Sequence, residues 1–133
     1  MWILRCYDQG QDGGFRGWYD SQDAEIQTEI EVALELLAGQ PVWADDLYYE
    51  PLRGACSGLG EIKIDLRMKA DARKELQVCY RILGYKTDGT REFTMLCGFQ
   101  KISGSEYSTY CPMARSRKEK VLKDGNRASL WPL

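Results

Sequence analysis

The chain contains no histidine. That removes the imidazole base, the Ser-His-Asp and Cys-His arrangements, and every zinc motif that uses histidine. Proton transfer, if there is any, falls to Lys, Arg, Tyr, Asp, Glu or Cys. The five cysteines, at 6, 56, 79, 97 and 111, are odd in number and include no C-x-x-C pair. A secreted disulfide framework wants an even, clustered set, and a structural zinc site wants close pairs. The expectation is therefore five reduced thiols in or near a core, in a cytoplasmic protein with no metal. No small-molecule cofactor motif stands out either. The glycine-rich stretch 10–17 (GQDGGFRG) lacks the G-x-x-x-x-G-K-[ST] pattern and reads as a turn before a helix rather than a phosphate loop. No run approaches the ~18 consecutive apolar residues of a membrane span, and few apolar residues precede Asp8, so no secretory signal is expected.

What is present is ordinary in bulk and uneven in detail. With 133 residues, 44% hydrophobic and 29% charged, the composition is that of one globular domain. The expected layout is a domain over 1–125 and a loosely ordered tail over 126–133, in which Trp131 can dock. Net charge is −2, but residues 1–60 carry three basic side chains against eleven acidic ones, and residues 61–133 carry fifteen against nine. The halves are therefore −8 and +6. Such asymmetry suggests a polyanion-facing surface built from the C-terminal half. The alternative is that opposite charges face each other across one fold. The pI of about 5.2 is low for a dedicated nucleic-acid binder, where values above ~9 are usual.

Periodicity gives the elements. Residues 2–7 (WILRCY) read as a short strand. Asp20 or Ser21 caps a helix in which Ile26, Ile30, Ala33, Leu34 and Leu37 form one apolar stripe, and Gly39 and Pro41 end it. Residues 41–54 are a connector in which a short helix over 41–49 is possible, and the Tyr48-Tyr49 pair reads as core. Residues 61–68 (EIKIDLRM) alternate without a fault, which is the pattern of a half-buried strand. A charged loop follows at 69–74. A second strand runs over 75–85, with Leu76, Val78, Tyr80 and Ile82 on one face and Gln77, Cys79 and Arg81 on the other. Asp88-Gly89 marks a hairpin. Residues 91–102 are nearly continuously apolar, as a central strand should be. Pro112 suits the first turn of a last, basic helix ending at Asp124-Gly125. Strands in a run and helices apart from them give the class α+β.

Four short segments in order carry a resemblance: GLGEIKID at 58–65, YRILGY at 80–85, LCGFQKI at 96–102 and a basic helix entered near MARSR at 113–117. Together they resemble the HigB/RelE toxin superfamily, most of all its phage-derived, HigB-like branch, over roughly residues 20–123. Lys63 stands at the basic position of the first motif and Arg81 is the arginine of Y-R. Phe99 and Lys101 form the F-x-K, while Ala114 and Arg117 fit the helix. The sequence departs from the family pattern at Gly60, at Ile102 and at Glu106-Tyr107. The resemblance implies a RelE-like fold: a small antiparallel sheet made of a C-terminal three-strand meander plus the N-terminal strand, with N-terminal helices and a basic C-terminal helix. It implies the toxin of a type II toxin–antitoxin system, a metal-independent endoribonuclease that cuts mRNA at the ribosome and is held by an antitoxin, of helix-turn-helix type. The alternative is a non-catalytic phage-derived relative, or a ParE-like toxin that acts on gyrase by binding.

RNA cleavage without metal uses the substrate's 2′-OH as nucleophile. The protein must help remove that proton, stabilise the phosphorane and protonate the leaving 5′-oxygen. Lys63 and Arg67 share a strand face, and Arg81 lies on the polar face of the next strand. The candidates are Arg81 for the scissile phosphate, Lys63 as base or electrostatic clamp, Lys101 for positive potential and Tyr107 to donate or stack. Arg67, Lys69, Arg73, Lys74, Tyr110, Arg115, Arg117 and Lys118 are candidate RNA contacts. The competing reading of Arg81 is an ion pair with Asp65 or Glu61 across the ladder.

Overall fold

A computed structural model describes residues 1–43, 47–71 and 74–132, with the side chains of 68–71, 74 and 75 outside that description. Strand β1 (Ile3–Tyr7) leads through a glycine turn into the short helix α1 (Gly14–Asp20) and then α2 (Ala24–Ala38). Strand β2 (Tyr49–Pro51) and a single 3-10 turn at 54–56 precede the long strands β3 (Gly60–Asp71), β4 (Lys74–Lys86) and β5 (Glu92–Lys101). Helix α3 (Tyr107–Lys123) and the edge strand β6 (Ala128–Leu130) follow. The sheet has six strands in the order β2-β3-β4-β5-β1-β6. It is mixed, because β1 runs parallel to β5 while the other pairings are antiparallel. The class α+β holds; the sheet is larger than the expected four strands and is not purely antiparallel.

Alternation decides the layers. Ile62 and Ile64 of β3, Tyr80 and Ile82 of β4, Phe93 and Met95 of β5, and Leu4 and Cys6 of β1 form one core with the stripe Ile26, Ile30, Ala33, Leu34 and Leu37 of α2 and with Phe15 and Tyr19 of α1. The opposite strand faces supply Tyr7, Leu83, Tyr85, Cys97 and Phe99, which pack with Cys111, Ala114 and Val121 of α3. Helices therefore cover both faces, and β5 is the central strand that its apolar run announces. It is apolar on both sides because it is buried on both. A bulge lets this happen: Leu83 faces Cys97 but Gly84 faces Met95, so Leu96 is an extra residue that joins Cys97 on the α3 face.

Several boundaries differ from the sequence reading. Part of the glycine stretch is helical, with Gly13 in the left-handed region at φ +74 preceding α1. The β3–β4 strands continue to Asp71 and resume at Lys74, well inside the expected 69–74 loop. Of the possible helix over 41–49, residues 41–43 and 47–48 are not helical, Tyr49 belongs to β2, and 44–46 lie outside the described residues. Tyr49 is core, whereas Tyr48 is 40% exposed. Helix α3 begins a full turn before Pro112, which sits exposed within it. The turn before α3 is organised by the Glu106 carboxylate, which accepts the backbone N–H groups of Ile102, Ser103 and Gly104. Residues 126–132 of the tail pack on the domain: Ala128–Leu130 pairs with β1, and the Trp131 amide donates to the Leu4 carbonyl at 2.9 Å. The Trp131 ring meets Phe15 and Tyr19 edge-on.

The expectation of five reduced thiols is corrected. Cys56 and Cys111 form a disulfide between the 3-10 turn and α3, with Cα atoms 5.4 Å apart. Cys6, Cys79 and Cys97 are free. A spacing of 55 residues gives no local signal for such a pair. Disulfides persist mainly in oxidising compartments, so thiol usage no longer supports a cytoplasmic location. Among the described residues no helix is long and apolar enough to cross a membrane.

Candidate functional site

The polar face of β3 and β4 lies on the α3 side of the sheet. Lys63 and Arg81 are direct cross-strand partners, Arg81 also faces Phe99, and Cys79 faces Lys101. Tyr107, from the first turn of α3, reaches over this face and donates its hydroxyl to Glu61 Oε2 at 2.5 Å. Lys101 Nζ lies 5.6 Å from the Tyr107 ring centroid. Lys63, Arg81, Lys101 and Tyr107 are thus brought to one face.

Carboxylates are interleaved with them. Arg81 Nη1 donates to Asp65 Oδ1 at 2.7 Å and to the Tyr80 carbonyl at 2.9 Å, and Arg81 Nε lies 3.9 Å from Glu61 Oε2. That Nε is buried without a hydrogen-bond partner among the described residues. Lys63 Nζ pairs with Glu50 Oε2 at 2.7 Å. Arg81 is only 6% exposed and Glu61 only 4%, because α3 and its Tyr107 close over them. Strand alternation put Arg81 on the outer face correctly, but the outer face is not the outside of the protein.

The electrostatics follow from these contacts. Burial pushes the Tyr107 phenol up, and the hydrogen bond and negative charge of Glu61 push it further, so the hydroxyl stays protonated throughout the neutral range. Burial alone would raise the Asp65 carboxyl, but the Arg81 hydrogen bond, a second from Cys79, and the charges of Arg81 and Lys63 bring it below its ordinary 3.8. Hydrogen bonding and charge from Lys63 lower Glu50 in the same way. These shifts have a stability consequence. The unfolded chain binds a proton at Asp65 more readily than the folded one, so the contribution of the pair is complete above pH 3.8 and is lost as the pH falls through the lower folded value. Asp65 is 40% exposed on its side chain, so screening holds the effect to about 1 kcal/mol or less. Melting temperature measured from pH 6 to pH 2 should show a flatter acid limb for Asp65→Asn than for the wild type, and identical limbs would refute the assignment.

The remaining candidates scatter. Arg67 is exposed on β3, Arg73 lies outside the described residues, and of Lys69 and Lys74 only the backbone is described. Tyr110 stacks on Phe99 with centroids 4.6 Å apart, next to the edge-on Phe99–Tyr107 pair. Arg117, a candidate RNA contact, is held in the structure as a clamp between α3, β5 and the glycine turn. It is 8% exposed, donates to the Leu96 carbonyl at 2.8 Å, pairs with Asp12 and lies over the Tyr7 ring. Its Leu96 bond satisfies a carbonyl of the bulge. Arg115 and Lys118 keep an outward position and reach the carbonyls of Ser57 and Gly58. Sequence reasoning missed Asp12, Glu50 and the Cys56–Cys111 bond. Nothing in the local pattern singles out Asp12, whose partner is 105 residues away.

The charge asymmetry also finds its geometry. The acidic side chains Glu25, Glu29, Glu31 and Glu35 are exposed on α2, and Arg115, Lys120 and Lys123 are exposed on α3, on the other side of the sheet. The two helices do not neutralise each other. The fold is that of an α+β protein with a six-stranded mixed sheet and one face carrying a cation–carboxylate network under a tyrosine. Comparison with protein family models, with curated proteins and with solved structures finds no match to this chain.

Proposed function

We propose that the chain is the toxin of a type II toxin–antitoxin pair, a metal-independent, ribosome-associated mRNA endoribonuclease of the HigB/RelE kind. The observation that supports this best is the gathering of Lys63, Arg81, Lys101 and Tyr107 on one sheet face, from three adjacent strands and a helix. In that role Arg81 and Lys101 stabilise the extra negative charge of the phosphorane. Tyr107, kept protonated by burial and by Glu61, suits donation to the leaving 5′-oxygen better than abstraction of the 2′-proton. Lys63 serves the 2′-OH as base or clamp once substrate phosphate competes with Glu50. The partners in this reading are translating ribosomes, mRNA and an antitoxin of helix-turn-helix type, and the setting is the cytoplasm. There, a Cys56–Cys111 bond is a transient, redox-sensitive one.

A second reading has one specific observation in its favour. Lys63 and Arg81 are already neutralised by Glu50 and Asp65. A face so balanced suits a non-catalytic phage-derived relative, or a ParE-like gyrase-directed toxin, acting by binding alone. Expression of the protein by itself separates the two. Under the first reading growth slows, and primer extension on cellular mRNA finds new 5′ ends inside translated frames. Intact mRNA beside trapped gyrase–DNA complexes, or intact mRNA with no arrest, would overturn the nuclease.

A further inference from the structure

One face of α3 is joined to the segment 56–61 by four successive contacts. Tyr107 reaches Glu61, Cys111 is bonded to Cys56, Arg115 Nη2 donates to the Ser57 carbonyl at 2.7 Å, and Lys118 Nζ donates to the Gly58 carbonyl at 3.1 Å. Positions 107, 111, 115 and 118 are three or four apart, so they share one stripe of the helix. The lower half of this seam borders an open cavity of about 250 Å³, lined by Ser57, Gly58, Arg115, Lys118 and Glu119, with Leu59 and Leu122 as its apolar part.

The two cations in that cavity differ from Lys63, Arg81 and Arg117. Those three have a carboxylate within 3 Å, whereas among the described residues neither Arg115 nor Lys118 has one. Their heads are anchored to the consecutive carbonyls of Ser57 and Gly58, and Lys118 Nζ also lies 5.0 Å from the Tyr85 ring centroid. Two cations and one carboxylate in the lining leave the cavity net positive, which favours an anion there. Each carbonyl takes only one of the available N–H groups, and a guanidinium has five and an ammonium three. The surplus donors and the net single positive charge left after Glu119 match a singly charged oxyanion. The disulfide braces the arrangement from beneath, since Cys56 adjoins Ser57 and Cys111 lies one helical turn before Arg115.

We propose that this cavity is a phosphate-binding site that takes a backbone phosphodiester of single-stranded RNA. Arg115 supplies the forked contact and Lys118 the point charge. That RNA is the source of the phosphate rests on the function proposed above; the phosphate chemistry does not.

The test follows the backbone amide resonances of Ser57 and Gly58 in the oxidised protein during three titrations: with inorganic phosphate, with dimethyl phosphate and with a short single-stranded oligoribonucleotide. Saturable shifts are expected in each, with the oligoribonucleotide tightest. The double variant Arg115→Gln/Lys118→Gln should lose about tenfold or more in RNA affinity near 0.1 M salt. It should also lower the slope of log affinity against log salt by about 1.4, the equivalent of two released counterions on a single strand. Lys120→Gln/Lys123→Gln removes the same charge from the exposed end of α3 and should leave the Ser57 and Gly58 shifts in place. Equal losses in both double variants would mean a general basic surface and would overturn the site. Saturation by the phosphates without RNA keeps the site and overturns its RNA assignment. No saturable shift with any of the three sinks the proposal, whatever the cleavage assay gives.

Discussion

Arg81→Ala should unfold at a urea concentration far below that of the wild type, with a loss of about 3 kcal/mol, the usual cost of stripping one partner from a buried ion pair. Strand alternation alone forecasts about 1 kcal/mol or less, as for a surface cation. The difference comes from α3. The Arg81 and Glu61 side chains are 8% and 6% exposed, and Tyr107 caps them. Truncation leaves Glu61 in that enclosure with the Tyr107 hydroxyl as its hydrogen-bond donor, and takes the Nη1 bonds from Asp65 and the Tyr80 carbonyl. The paired variant Arg81→Met/Glu61→Leu removes both charges at similar volume and should be less destabilised than Arg81→Ala. An Arg81→Ala protein as stable as the wild type would remove the buried network from the account.

Catalysis is separable from this. Arg81→Lys retains a charge near Asp65, and enough protein should fold for assay at low temperature. If Arg81 binds the scissile phosphate, loss of the planar fork costs about 10²–10³ in cleavage rate, roughly 3–4 kcal/mol of barrier. If its role is structural alone, cleavage per folded molecule is unchanged. Glu61→Gln would then reproduce much of the Arg81→Ala stability loss, and Asp65→Ala, at an exposed carboxylate, about 1 kcal/mol or less, neither with a rate effect of its own.

The second large effect belongs to the disulfide. The bond closes a span of 55 residues, and the loop-entropy relation assigns about 4 kcal/mol to such a closure. Cys56→Ser/Cys111→Ser should therefore lose a large part of the stability of a domain this size, for which 5–15 kcal/mol is typical. Guanidinium titrations of the wild type with and without reductant, beside the serine variant, measure it. Agreement between the reduced wild type and the variant isolates the bond from the substitutions. Alkylation under denaturing, non-reducing conditions should add three labels, at Cys6, Cys79 and Cys97. Five labels would show that the bond is absent. In the native protein Cys6 and Cys97 should label slowly, since they are 0% and 2% exposed and burial pushes the Cys97 thiol up to about 12. Loss of the bond would also free Ser57 from the helix that carries Arg115, so the phosphate cavity is expected to weaken along with the fold.

The secondary structure that the sequence settled rests on periodicity and on short-range chemistry. The alternation of 61–68 gave β3 its two faces, and the spacing of Ile26, Ile30, Ala33, Leu34 and Leu37 gave α2 its buried stripe. The apolar run of 91–102 marked β5 as central, and Asp88-Gly89 lies between Lys86 and Glu92 as a turn should. These are local regularities of side-chain direction, which a strand or helix imposes whatever surrounds it. Boundaries set by partners were missed. The three-residue strands β2 and β6 form because β3 and β1 present open edges to pair with. Helix α3 starts early because Glu106 and the seam to residues 56–61 hold its first turn.

For the candidate site, the sequence determined which residues share a face: Lys63, Arg67 and Arg81 are out of phase with the core positions on either side of them. It also determined the charge imbalance between the halves and the absence of imidazole chemistry. Only the tertiary structure decided that α3 covers this face, which turns Arg81 from a surface cation into a buried partner of Asp65 and Glu61. The same packing decided that Arg117 serves the β5 bulge and Asp12, and that two of five cysteines meet. It left Arg115 and Lys118 anchored to carbonyls, with no carboxylate in ion-pair range among the described residues. Each of these depends on contacts between residues tens of positions apart. Pairing across such distances is fixed by how helices pack on a sheet, and no pattern of neighbours in the chain encodes it.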